Sequence, residues 1–194
     1  MSARLLAVFL AAAATVTGPD AHGMRADAGP APPDSATIRQ GVNALYNLDF
    51  DEADARFRAV VRAAPGHPAG HVYLAVSALA RQMVGGISPE ARAAYDHHVA
   101  AAVRCSLAPA AASTRDPWFR FYRGIAFILR AQREIERDAM AEGLQWAKRG
   151  ITDLQSLSAH DAAGVDARAM LGACQYFLMQ TPWYVKMMSS LILL

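Results

Sequence analysis

Six histidines and two cysteines are among the side chains here that can bind metal or attack a substrate. In HPAGH, His67 and His71 stand four residues apart, a spacing that can put two imidazoles on one helix face. A metal centre needs a third ligand, and the helical zinc-protease pattern needs Glu beside its first His. Pro68 stands there instead. The expectation is therefore that His67 sits at a helix entrance, that His71 packs within a hairpin, and that no metal is held. Asp96-His97-His98 is a second cluster. Adjacent residues on a helix point in different directions, so these rings do not easily share one ion, and a solvated face is expected. His160-Asp161 reads as a turn and cap. Cys105 and Cys174 lie in apolar stretches, where cysteine behaves as a small buried residue. In an exported chain a bridge between them stays open. No paired cysteines, phosphate loop or nucleophile elbow appears. The leading reading assigns no catalytic residue, no metal and no cofactor. The alternative is a helical metal-binding or enzymatic domain that uses its histidines.

The elements that must position these residues read as helices only. No stretch alternates apolar and polar residues as a half-buried strand would. A first helix is predicted over about Ser35 to Leu48, capped by Asp34 or Ser35, with Ile38, Val42, Leu45 and Tyr46 on one face. Asp51 is expected to cap a second, whose stripe is Ala53, Phe57, Val60 and Val61, and Pro65-Gly66 stops it. A third opens at Pro68 and carries Val72, Leu74, Val76 and Leu79 to Gly85-Gly86. Ser88-Pro89-Glu90 opens a fourth, through about Cys105. Asp116-Pro117 opens a fifth, with Trp118, Phe121, Tyr122, Ile125, Ile128 and Leu129 facing inward. Met140, Leu144, Ala147, Ile151 and Leu154 mark a sixth, about Gly164 to Met179 a seventh, and Thr181-Pro182 an eighth.

Both ends differ from this pattern. Arg4 precedes an apolar run, Leu5 to Val16, shorter than the roughly 20 residues of a spanning helix but of the length of a signal-peptide core. Residues 1–23 are expected to be a signal peptide, 24–34 a disordered linker, and 35–194 the folded domain. The expected location is periplasmic or secreted. At the other end, MMSSLILL closes an apolar helix with no polar cover. Truncation is the favoured explanation, beside a dimer interface or a membrane-contacting tail.

Alanine supplies much of the 54% hydrophobic content, and it favours close helix approach. A net charge of +2, with both signs interspersed, gives no field that argues for nucleic acid.

The helices pair, opening near Ser35, Pro68, Pro117 and Gly164, and each pair must stack on a neighbour to bury its apolar face. The first interval is close to the approximately 34 residues of a tetratricopeptide repeat. Gly41 in the first helix, Ala53 and Phe57 in the second, and Pro65 at the end match that family. Thr37, Gln40 and Ala44 stand where it usually has Trp, Leu and Tyr. Gly124 with Phe127, and Leu171-Gly172, look like divergent copies of the first-helix motif. From Ser35 onward the chain thus resembles the tetratricopeptide-repeat superfamily, and HPAGHVYLA, DPWFRFYRGIAF and ARAMLGACQYFL resemble secreted bacterial members of it. The resemblance implies a right-handed superhelical array of stacked hairpins, an α-solenoid, acting as a scaffold for a protein or peptide partner. It implies no chemistry.

Helical spacing puts most aromatic residues in the core. The alternative places Tyr46, Tyr122 and Tyr176 on the concave face formed by first helices. Asn43 and Asn47, one helical step apart, would there bond an extended peptide.

Overall fold

The computed structural model describes residues 34–109, 111, 115–157 and 162–180, with side chains as far as Gln175. The expected signal peptide, most of the linker, His160-Asp161, the eighth helix and the apolar end lie outside the described residues. Among the described residues the structure is all-α. Its helices are α1 (Ser35–Tyr46), α2 (Phe50–Ala63), α3 (Ala69–Gly85), α4 (Pro89–Leu107), α5 (Pro117–Glu136), α6 (Met140–Gln155) and α7 (Ala162–Gln180).

Short polar side chains start most of them, because the first turn of a helix leaves backbone N–H groups without intrahelical acceptors. The Asp34 carboxylate accepts from the Ala36 and Thr37 amides at 3.0 and 3.1 Å. Asp49, not Asp51, caps α2 by accepting from the Glu52 amide at 3.2 Å. Asp51 instead lies in the first turn with Glu52, where negative charge suits the helix dipole. Ser88 caps α4 through the Ala91 amide at 3.0 Å, and Asp116 caps α5 through the Trp118 amide at 2.9 Å. Pro89 and Pro117 follow these caps in the first helical turn, where the missing N–H costs nothing.

Each helix packs on the next in sequence; α3 also meets α5, and α5 meets α7. The stripes predicted for α1 and α2 are buried at Ile38, Val42, Leu45, Ala53, Phe57 and Val60. Tyr46 departs from its expected stripe and is 41% exposed. In α3 the predicted Val72, Leu74, Val76 and Leu79 are all buried, but so is every other residue from Ala69 to Ala80 except His71. The reason is position: α2, α4 and α5 all pack on α3, so little of it stays wet before Arg81. Phe121, Tyr122, Ile125 and Leu129 of α5 are buried as expected, and Phe119 and Phe127 join them.

Small residues set the spacing of the hairpins. A Cβ built on Gly41 would lie 2.9 Å from the Phe57 Cδ1 atom and closer still to Cε1, so the ring occupies the space a side chain would need. In the α5–α6 hairpin the contact is backbone on backbone: a Cβ on Gly150 would come within 2.7 Å of the Gly124 carbonyl oxygen.

The α1–α2 and α5–α6 turns share one geometry. Leu48 and Asp138 both take positive φ, 60° and 64°. The Leu48 amide bonds the Leu45 carbonyl and the Asp49 amide the Ala44 carbonyl, at 3.1 and 2.9 Å; Asp138 and Ala139 bond Ile135 and Glu134 in the same way, at 3.1 and 3.0 Å. This paired closure of a helix end normally uses glycine at the left-handed position. Counted from the two turns, Gly41 and Ala131 hold the same place, as do Ala53 and Gly143. A Cβ on Gly143 would lie 3.0 Å from the Ala131 carbonyl oxygen, whereas Gly41 faces the Phe57 ring, so the two hairpins share the turn and differ in what their small residues meet. The counterpart of Gly41 is thus Ala131, rather than the Gly124 picked out by sequence.

Candidate functional site

Asn43, Tyr46 and Asn47 lie together at the end of α1, and all three are exposed. They follow the closely packed Gly41-Val42 pair, so the helix register that buries Val42 and Leu45 turns these residues outward. Tyr122 does not join them. It is 2% exposed, and its hydroxyl lies 3.3 Å from that of Tyr73, itself buried on α3. The two phenols fill the space where first helices α3 and α5 meet, because both carry an aromatic residue at that crossing. Tyr176 belongs to α7, with its side chain outside the described set.

Burial, together with the neighbouring Asp166 carboxylate, holds both phenols protonated well above the ordinary tyrosine range. The edge of the Tyr122 ring meets His67, at 5.7 Å between centroids, and Phe119 packs on the same imidazole at 5.2 Å. His67 is 1% exposed. Its Nδ1 accepts the Ala69 amide at 3.2 Å, which leaves the ring proton on Nε2, 3.8 Å from Asp116 Oδ2. With one nitrogen used as a helix cap and the other enclosed, this ring is built for structure.

His67 and His71 do not converge. His71 faces away from the aromatic centre and meets His98 of α4, with Nδ1 3.2 Å from Nδ1. The ring centroids are 5.5 Å apart, which equals the nitrogen gap plus the reach of the two rings, so the nitrogens point head-on. That is the direction of an N–H···N hydrogen bond. Two ligands of one metal ion would instead aim at a common point off that line. Among the described residues no set of three or more His, Cys, Asp or Glu side chains is arranged to hold a metal ion. The expectation of a solvated His97-His98 face holds for His97, which is exposed, and fails for His98, which is half-buried against α3. No sequence signal marks that pairing, because the two rings stand 27 residues apart on different helices and no spacing within one segment relates them.

A second polar seam joins α2 to α3. Ser77, fully buried, donates to Asp54 Oδ1 at 2.6 Å, and Arg81 bonds Asp54 and Asp51 at 3.1 and 2.8 Å while lying over the Phe50 ring. Serine in the otherwise apolar run LAVSALA was the visible hint. Between α4 and α5, Arg133 grips Asp96 with Nε and Nη2, so the acid beside His97 serves an ion pair and not the histidines.

Both cysteines carry free thiols. Cys105 donates from Sγ to the Pro65 carbonyl at 3.4 Å. Burial raises its pKa and pushes that of Cys174 up to about 11, so neither is a ready thiolate at neutral pH.

No family model matches the chain, and neither a curated protein nor a solved structure matches it.

Proposed function

We propose that the chain is an exported helical-repeat scaffold of the tetratricopeptide type, and that it engages a protein or an extended peptide through a concave face to which the end of α1 contributes. The observation that carries this reading is the recurrence of one hairpin turn: the same left-handed closure, with the same pair of backbone hydrogen bonds, at Leu48 and Asp138. Repeats of this kind cannot bury their apolar faces alone and form continuous surfaces when stacked. The contacts of α3 with α5 and of α5 with α7 fit such stacking. Tyr122 fills the space between α3 and α5 with Tyr73 and leaves the proposed surface, of which the exposed Asn43, Tyr46 and Asn47 remain. Amide side chains one helical turn apart, beside an exposed phenol, suit the hydrogen-bonding groups of an extended backbone.

A photoreactive amino acid at position 46 of the full chain tests this in the producing cell. A discrete crosslinked protein, lost when Asn43 and Asn47 are both changed to Ala, supports the reading. Equal crosslinking from exposed Arg62 on α2, or none from position 46, counts against it. Export is tested separately: mass spectrometry of extracellular or periplasmic protein should show a start between about residues 19 and 29. An intact Met1 form confined to the cytoplasm would overturn that part. As to membrane association, no helix among the described residues is long and apolar enough to cross a bilayer.

A further inference from the structure

We propose that the hydrogen-bonded His71–His98 pair is a pH-sensitive latch on the seam between α3 and α4, closed when the pair carries at most one extra proton and released when it carries two. The geometry supplies the mechanism. With the Nδ1 atoms 3.2 Å apart and head-on, one ring donates its Nδ1–H and the other accepts. The donor ring then has a free Nε2, and it can take a proton there without losing the bond. A second proton has only the accepting Nδ1 to occupy. Two N–H groups would then face each other at hydrogen-bond distance, and the contact must open.

Burial and most of the neighbouring charges oppose that second charge. On α4, His97 packs against His98 at 4.9 Å between centroids, and Arg104 acts on His71. On α2, Asp54 favours a charged His98 and Arg58 opposes it more weakly. Asp54 is already committed to Ser77, Arg81 and Arg58. Burial is the largest influence on both rings, followed by the neighbouring imidazoles; His71 is lowered from its ordinary 6.5, and His98 to about 4.

The unfolded chain therefore binds protons that the folded chain refuses. The contribution of the neutral pair is complete above about pH 6.5 and declines as pH falls toward 4. The affected seam contains the core contacts of Val72, Val99 and Ala102.

The test is nitrogen-detected NMR of the full chain between pH 8 and 4. One ring should show the Nδ1–H tautomer and the other Nε2–H at neutral pH, titrating together below 6.5. Amide exchange in α3 and α4, corrected for intrinsic rate, should speed up by about tenfold or more between pH 7 and pH 5. The doubly substituted His71→Gln/His98→Gln chain should lose that pH dependence. Independent titration of both rings near 6.5, or equal acceleration in the double variant, would overturn the latch. The NMR result stands on the unaltered chain, so a variant that fails to fold leaves the proposal decidable.

Discussion

His67 and Asp116 couple the starts of two helices that are far apart in sequence. His67 Nδ1 holds the Ala69 amide at the head of α3, Asp116 Oδ1 holds the Trp118 amide at the head of α5, and their remaining polar atoms face each other at 3.8 Å. His67→Ala removes a cap and leaves a hole beside Phe119 and Tyr122, and should cost about 3 kcal/mol. Asp116→Ala should cost about 1 kcal/mol as a lost cap. A double-mutant cycle by denaturant unfolding should show coupling of at least about 0.5 kcal/mol; strict additivity would mean the two caps act independently.

Phe57 is fully enclosed, with its ring in the space left by Gly41. Phe57→Ala should cost on the order of 3–5 kcal/mol. Gly41→Ala forces the ring aside and should cost about 1–3 kcal/mol. A loss below about 1 kcal/mol for Phe57→Ala would break the hairpin assignment.

Two glycines should respond in opposite directions. Gly150→Ala drives a methyl into the Gly124 carbonyl, a backbone atom that cannot swing away, so α5 and α6 must separate at a cost of about 1–3 kcal/mol. Among the described residues, a Cβ on Gly172 would meet no atom within 4 Å, so Gly172→Ala should gain up to about 1 kcal/mol from helix propensity. Thermal melts of the two variants give the comparison.

Leu48 combines φ of 60° with 54% exposure. An L-residue is strained in that conformation, and little packing is lost by shortening it. Leu48→Gly should stabilise the chain by about 0.5–1 kcal/mol, net of the greater freedom glycine has when unfolded. A melting temperature lowered by this change would show that the Leu48 side chain does more than close the turn.

Local periodicity and capping chemistry made the helices readable from the chain itself. Asp34, Ser88-Pro89 and Asp116-Pro117 mark helix starts because a short oxygen-bearing side chain and a fixed φ act on their own segment. Gly41, Ala53 and Phe57 were legible for a related reason: their spacing lies within a single hairpin, whose two helices meet as soon as the turn closes. Cap choice at α2 was less so, since Asp49 and Asp51 are chemically alike and only the turn at Leu48 selects between them.

Contacts beyond that first hairpin depended on the tertiary structure. Spacing put Tyr122 inward and the concave-face alternative put it outward; the α3–α5 contact, where its hydroxyl meets that of Tyr73, decides for the core. His71 and His98 come from separate helices, and their nitrogens meet only because α3 and α4 run side by side in one register. A sequence declares which face of a helix is apolar. Which neighbour covers that face, and which polar atoms are trapped at the crossing, is decided when several helices compete for the same core volume. In this chain α3 occupies that volume, which is why its apolar stripe became a helix buried on almost every side.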